Sequence, residues 1–358
     1  MVKEDIASSG GFVVACSTAL LAVALLALSG VRDIVRAEPP AHHGDGCFRN
    51  PDSLPMHGEA PVSVTLPFFA RRVAATLSRA AVPSPPVVPN DGAFLRQNAL
   101  GSVPTVTWVG HSTLLVQMGH VTFLTDPTWS STASPLPVGP RRFVEPGLAI
   151  EDLPAIDFVV VSHNHYDHMD LPTLKTLAAK GARIFVPLGN AATLRSAGIE
   201  TAEELDWWES RTVKGVAVHC VPARHWSRRG VLDGDRALWS GWAVVAADRR
   251  FYFAGDTGAF PGFAEIGTRL GPFDLAAVPI GAYEPRAMME PSHVTPEEAV
   301  IAAADARAAH SVAMHFGTFD LSDEPVDEPP KRFLAASAAA GRGPDRDWVL
   351  AIGETRQW

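Results

Sequence analysis

Seven consecutive residues, Ser162-His163-Asn164-His165-Tyr166-Asp167-His168, constrain this chain more than any other stretch of it. Three imidazoles and a carboxylate fall within six positions, directly after the continuous apolar run Phe158 to Val161. Such a run reads as a strand buried on both faces. Alternate residues of an extended stretch face the same way, so His163 and His165 can grip one cation. The turn that follows redirects Asp167 and His168 toward a second. A tetrahedral N/O site needs about three protein ligands plus water. Four ligands this close exceed that need unless two metals sit together, roughly 3.5–4 Å apart. The cysteines, Cys16, Cys47 and Cys220, form neither a disulfide framework nor a thiolate site, so any metal is held by imidazole and carboxylate.

Further ligands are expected at the ends of other apolar strands. His225 follows Val216 to Val221, Asp256 follows Arg250 to Ala254 in FAGDTG, and His315 follows Val312 to Met314 in VAMHFGT. Strand ends converging on one edge are where α/β folds build their sites. The pattern also predicts strands at Val103 to Val109, Leu114 to Met118, Val121 to Thr125, Arg183 to Val186, Trp239 to Ala246, Leu275 to Ile280 and Trp348 to Ile352. Gly119-His120 reads as a hairpin turn. Helices are expected at Leu171 to Lys180 and Pro296 to Arg307, the latter opened by a Thr295–Glu298 capping box. Two groups of strands with helices outside imply a sandwich of two sheets covered by helices.

Before this region the chain is different. Residues 11–28 are about 18 apolar positions without a charge, enough to span a bilayer or to serve as a long signal-peptide core. Residues 31–102 form a Pro-rich arm, in which Leu66 to Ala80 carries Phe69, Val73 and Leu77 on one helical stripe. That stripe can meet a membrane surface or pack on the main domain, and packing is the favoured reading. The expected division is therefore 1–30 as anchor or signal, 31–102 as arm and 103–358 as the enzyme domain. With a net charge of −9, the chain has no basic footprint, which argues against a nucleic-acid partner.

The stretches WVGHSTLLVQMG, FLTDPTWSSTASP, SHNHYDHMD, ELDWWE, FAGDTG, YEPR, HVTPEEAV and MHFGTF make Trp108 to Phe319 resemble the metallo-β-lactamase superfamily. HxHxDH points to the superfamily. YEPR and DWWE point to its N-acylphosphatidylethanolamine-hydrolysing phospholipase D group and that group's bacterial relatives. The resemblance implies an αββα sandwich of two mixed sheets and two zinc ions, although iron or manganese would also fit the ligands. It implies that His163, His165 and His225 hold the first ion and that Asp167, His168 and His315 hold the second. Asp256 would bridge the two ions together with a hydroxide.

The function implied is a zinc-dependent phosphodiesterase cleaving N-acylphosphatidylethanolamine-like phospholipids. The alternative is a hydrolase of a small soluble ester, lactone or phosphodiester, as in sugar-phosphate lactonases. Asp256, His168 and His293 are the expected catalytic residues, and Tyr166, His293 and Arg229 the expected substrate contacts. Asp126 in LTDP is expected to orient the ligand loop, and His111 is read equally as structural or functional. Membrane anchorage through residues 11–28 is expected, with a secreted or periplasmic enzyme if that segment is cleaved.

Overall fold

The computed structural model describes Met1 and residues 40–77, 82–101, 103–136 and 138–358. The apolar run of residues 11–28 lies outside them; among the described residues no helix is long and apolar enough to cross a membrane. Ala41–Trp358 form one compact unit, which takes in the Pro-rich arm from residue 41 onward.

The unit is built on two seven-stranded sheets. The first contains β1 (Thr105–Gly110), β2 (Thr113–Met118), β3 (Val121–Thr125), β4 (Phe158–Val160), β5 (Arg183–Pro187) and β6 (Ala202–Leu205). The second contains β7 (Ser210–Val213), β8 (Val216–Val221), β9 (Gly241–Val245), β10 (Arg250–Phe253), β11 (Phe273–Pro279), β12 (Ala308–Met314) and β13 (Asp347–Trp348). The last strand, β14 (Thr355–Gln357), returns to pair with β1. Both sheets are mixed: β3 to β6 and β10 to β13 pair in parallel, the others antiparallel. Gly119 and His120 both take positive φ, the signature of a two-residue type I′ turn, and Met118 pairs with Val121 across it.

Helices cover the sheets: α1 (Val62–Leu77), α2 (Ala93–Gly101), α3 (Leu171–Ala179), α4 (Ala191–Ser196), α5 (Gly262–Arg269), α6 (Arg286–Met289), α7 (Pro296–Asp305) and α8 (Glu328–Ala339). The two-residue alternation of a strand explains the double core. Phe158 and Val160 join Phe123, Phe185 and Phe251 between the sheets. Val159 and Val161 join Leu124, Leu174 and Leu177, under α3. The expected capping box opens α7, with Glu298 N donating to Thr295 Oγ1 and Thr295 N to Glu298 Oε2.

Three expectations change. The polar edge strands β6 and β7, AEEL and SRTV, lack the apolar runs that mark the inner strands. The strand expected at Trp348 to Ile352 shortens to Asp347–Trp348, and Ile352 makes only an isolated bridge to Val87. The arm helix starts at Val62, and Phe69 and Val73 of its apolar stripe do not pack inward. Phe68 is buried, whereas Val62, Leu66, Phe69 and Val73 are 73, 66, 58 and 61% exposed. Positions four, three and four apart put these four on one outward face.

Asp347 holds the far edge of the second sheet to α8. Its buried carboxylate accepts from Arg342 Nε at 2.8 Å, Ser311 Oγ at 2.7 Å and Ser337 Oγ at 2.7 Å. Burial alone would raise its pKa, but Arg342 and the two hydroxyls outweigh burial and hold it below the ordinary carboxylate range. This stability is present above the unfolded pKa and is lost as pH falls through the folded value. Asp347→Ala should destabilise the unit by about 3–5 kcal/mol, because Arg342 loses its buried partner. A shift in denaturation midpoint worth under about 1 kcal/mol would contradict that account.

Candidate metal centre

The sheets end together at one edge, and the chemistry sits there. β8, β10 and β12 run in the same direction, and His225, Asp256 and His315 lie just beyond their C-terminal ends. The loop after β4 brings His163, His165, Asp167 and His168 from the opposite sheet. Gly255 is required before Asp256: its φ is +63°, and a Cβ there would stand 2.7 Å from Ser240 O and 2.8 Å from Ser162 Cβ.

Two clusters form. In the first, His165 Nδ1 lies 2.8 Å from His163 Nε2 and 3.4 Å from His225 Nε2. In the second, His168 Nε2 lies 3.3 Å from Asp167 Oδ2 and 3.2 Å from Asp256 Oδ2. His315 Nε2 is 3.0 Å from Asp256 Oδ2 and 3.6 Å from Asp167 Oδ2. Asp256 Oδ2 also lies 4.0 Å from His225 Nε2, so this carboxylate stands between the clusters. Ligands about 2.0–2.1 Å from a tetrahedral zinc are roughly 3.3–3.5 Å apart, which these spacings approach. His168 Nε2, His315 Nε2 and Asp256 Oδ1 are buried and find no partner in hydrogen-bond geometry among the described residues. Buried polar atoms left without partners are costly. A cation in each cluster would satisfy them, and all seven expected ligands converge on these two points.

The outer hydrogen bonds fix which ring nitrogen faces inward. Asp126, at a positive φ just after β3, accepts from Ser162 N and Ser162 Oγ, each at 2.6 Å. Its Oδ2 also accepts from His168 Nδ1 at 2.6 Å. Ser162 Oγ, having donated to Asp126, accepts from His163 Nδ1 at 2.8 Å. His225 Nδ1 donates to Ser292 O at 3.0 Å. Each of these Nδ1 protons is thus held by an outer acceptor, which leaves Nε2 as the atom turned toward the cluster.

Burial, followed by crowding from neighbouring imidazoles, holds His163 well below the ordinary imidazole range. Burial likewise lowers His225 strongly and brings His165 down to about 4, giving the first cluster neutral donors. Burial opposes charge on the second cluster as well. There, however, His168 and His315 hold Asp256 well below the carboxylate range, and His168 and His111 do the same for Asp167. In return Asp256 and Asp167 raise His168 well above its usual range and bring His315 to about 9.

Other expected residues divide. His293 lines the cavity over the clusters, its Nδ1 3.9 Å from Asp256 Oδ2 and without a hydrogen-bond partner among the described residues. Tyr166 and Arg229 do not line that cavity, unlike the substrate contacts expected of them. The Tyr166 hydroxyl donates to Arg229 O, and the Arg229 guanidinium lies 4.0 Å from the Tyr166 ring centroid. Arg229 Nη1 donates to Asn164 O and Met169 O, so the pair braces the ligand loop. Of the tryptophans, Trp207, Trp239 and Trp242 are core, whereas Trp226 lines the cavity edge-on to His165. His111, left open by the sequence, joins the second cluster with Nε2 3.0 Å from Asp167 Oδ2. Its position just after β1, like those of the ligands, was the available signal.

The profile of the beta-lactamase superfamily domain matches residues 121–316, more than half of the chain. The chain is 46% identical over 228 residues to the N-acyl-phosphatidylethanolamine-hydrolyzing phospholipase D 1 of Caenorhabditis elegans. That match takes in 60% of this chain and 64% of the worm protein, just under two thirds of its length. An uncharacterized Mycobacterium tuberculosis protein is 41% identical over 308 residues, 84% of this chain and 81% of its own. A novel metallo hydrolase from the archaeon Ignicoccus hospitalis superposes with a TM-score of 0.56 at 24% identity, over 72% of this chain and 98% of that one.

Asp126 offers a test of the centre itself. Asp126→Asn keeps the size of the side chain but removes the charge that orients both His168 and Ser162. Zinc affinity by chelator competition should fall about 10–100-fold, the usual effect of losing an outer-shell partner; unchanged affinity would refute the orienting role. Fold, strand-end ligand positions and superfamily profile agree, and the chain belongs to the metal-dependent hydrolases of the beta-lactamase superfamily.

Proposed function

We propose that this chain is a phospholipase D-type phosphodiesterase that cleaves N-acylphosphatidylethanolamine-like phospholipids with two zinc ions. His163, His165 and His225 would hold one ion and Asp167, His168 and His315 the other, with Asp256 between them. Bound there, the ions would supply a water of lowered pKa and Lewis-acid polarisation of the phosphoryl oxygens.

The observation that carries the lipid reading is the cavity over the clusters. It has a volume of about 360 Å³, and its walls combine His165, Asp167, Asp256, His293 and His315 with Phe68, Phe69, Met288, Met289 and Leu321. A polar floor under apolar walls suits a phosphodiester with a hydrocarbon tail. Phe68 and Phe69 belong to α1, whose outward face carries Val62, Leu66, Phe69 and Val73. An exposed apolar stripe at a cavity mouth fits a lipid surface. The two arginines of α1 beside the stripe are paired, Arg71 with Asp323 and Arg72 with Asp320 and Asp323. The worm relative's activity points the same way, and the apolar run of residues 11–28 would add an anchor at the membrane.

Within the cavity, the chain's own groups divide the work. His293 Nδ1 faces the cavity and is free to hydrogen-bond a phosphoryl or leaving-group oxygen. Its ring is held by its backbone: His293 N donates to Met289 O, and His293 O accepts from Arg286 Nη1 at 2.7 Å. Arg286 is itself paired with Glu298 at 2.8 Å, which ties the YEPR stretch to the start of α7. Phe68, Phe69 and Trp226 supply the aromatic part of the cavity wall beside the reacting centre.

The zinc-loaded protein should release N-acylethanolamine and phosphatidic acid from mixed micelles of N-acylphosphatidylethanolamine. Asp256→Asn and His168→Ala should each reduce this by on the order of 10²-fold or more. Turnover only of a soluble phosphodiester or a lactone would leave a metal hydrolase but remove the lipid assignment. In a separate arm, Leu66→Glu with Val73→Glu, both on the exposed stripe and outside the cavity wall, should lower turnover on vesicles about tenfold while sparing a soluble diester. An equal loss on both substrates would mean that the stripe serves the fold instead.

A further inference from the structure

We propose that the segment His42–Gly58 is a strap of the metal centre, and that Asn50 is a positioning residue for the ligand His225. The inference rests on the metal-centre reading above. His225 stands in a loop with no ladder to hold it, and it is fully buried. Its backbone N–H is satisfied from 175 residues away: Asn50 Oδ1 accepts from His225 N at 2.9 Å. The same oxygen accepts from Trp239 Nε1 at 3.0 Å, and Asn50 Nδ2 donates to Pro55 O at 3.1 Å. Asn50 is itself 2% exposed and turns its amide into the base of the first cluster.

The strap also reaches the other end of the same ligand. Ser292 O accepts from His225 Nδ1, and Ser292 Oγ donates to Met56 O at 3.2 Å. One short segment therefore touches the His225 backbone directly and its ring through Ser292. Both ends of the strap are fastened. His42 and His43 each place Nε2 on one oxygen of Asp206, at 2.7 and 2.9 Å, and the His42 ring stacks on Trp207 at 4.2 Å. Asp206 and Trp207 belong to the LDWWE stretch, which the cavity chemistry does not use. At the other end Gly58 lies flush on α6; a Cβ there would stand 2.2 Å from Ala287 O.

Removing the Asn50 amide leaves a buried N–H without an acceptor and releases the loop that aims His225. The consequence should fall on one metal rather than on the whole fold. We would titrate zinc, by competition with a chromophoric chelator, into the full-length wild type and into Asn50→Ala, Asn50→Asp and Trp239→Phe. The expected result is that Asn50→Ala weakens one of two zinc equivalents about 10–100-fold and leaves the other within about twofold. Asn50→Asp, which keeps the acceptor, should restore most of that loss. Trp239→Phe removes the indole donor that Asn50 Oδ1 and Ala223 O share, so it should lower thermal stability and weaken the same zinc equivalent less than Asn50→Ala does. A folded Asn50→Ala that binds both ions as the wild type does overturns the proposal. If Asn50→Ala does not fold, the His42→Ala, His43→Ala double variant, which cuts the outer anchor, decides: a several-fold loss at one equivalent supports the strap, and wild-type affinity overturns it. A wild type that takes up no zinc overturns the metal-centre reading, and the proposal with it.

Discussion

One buried carboxylate makes a single object of two histidine clusters. Asp126 accepts from Ser162 Oγ, which in turn receives the His163 Nδ1 proton, and the same Asp126 Oδ2 accepts directly from His168 Nδ1. His163 belongs to one cluster and His168 to the other, so the orientation of both is referred to the same oxygen. A fully buried anion is expensive unless every lone pair is used. Here three short contacts, from Ser162 N, Ser162 Oγ and His168 Nδ1, offset part of that cost, burial still raises Asp126 above its ordinary carboxylate range, and the arrangement is stiff. The ligand loop, the end of β3 and the end of β4 can shift only together, which preorganises the centre before any ion arrives.

The remaining ligands come from a second sheet, and their convergence is a matter of strand direction. β8, β10 and β12 point the same way because two antiparallel steps restore the original sense and the following pairings are parallel. Three chain segments far apart in sequence thus release their next residue at one edge. The packed aromatic layer behind them, Phe123 against Phe158 and Phe251, fixes the spacing of the two sheets and so the distance between the clusters.

What the sequence disclosed follows from how each feature is encoded. Ligands after apolar strands are visible because strand burial writes a local pattern and the first ligand stands within four residues of the strand's end. The capping box at Thr295 is visible for the same reason: its signal fits within four residues. Asn50 is not visible, because its partners His225 and Trp239 are linked to it by hydrogen bonds that leave no periodicity. Tyr166 and Arg229 are the right residue types for a phosphate site, but their polar groups are spent on main-chain carbonyls and on each other. The α1 stripe shows a further limit. Spacing reveals that Phe69 and Val73 share a face, but it does not reveal whether that face turns in or out.

The charges beside that stripe have a consequence of their own. Arg71 and Arg72 are matched by Asp323 and Asp320, so the outward face of α1 presents apolar area beside paired charges. Attraction between opposite surface charges fades as salt rises, since the screening length shrinks to a few ångströms. Transfer of apolar area out of water carries no such dependence and is strengthened by excluded salts. Contact through α1 would therefore be chosen by the hydrocarbon it meets and not by headgroup charge, and it would hold as readily in concentrated salt as in dilute buffer.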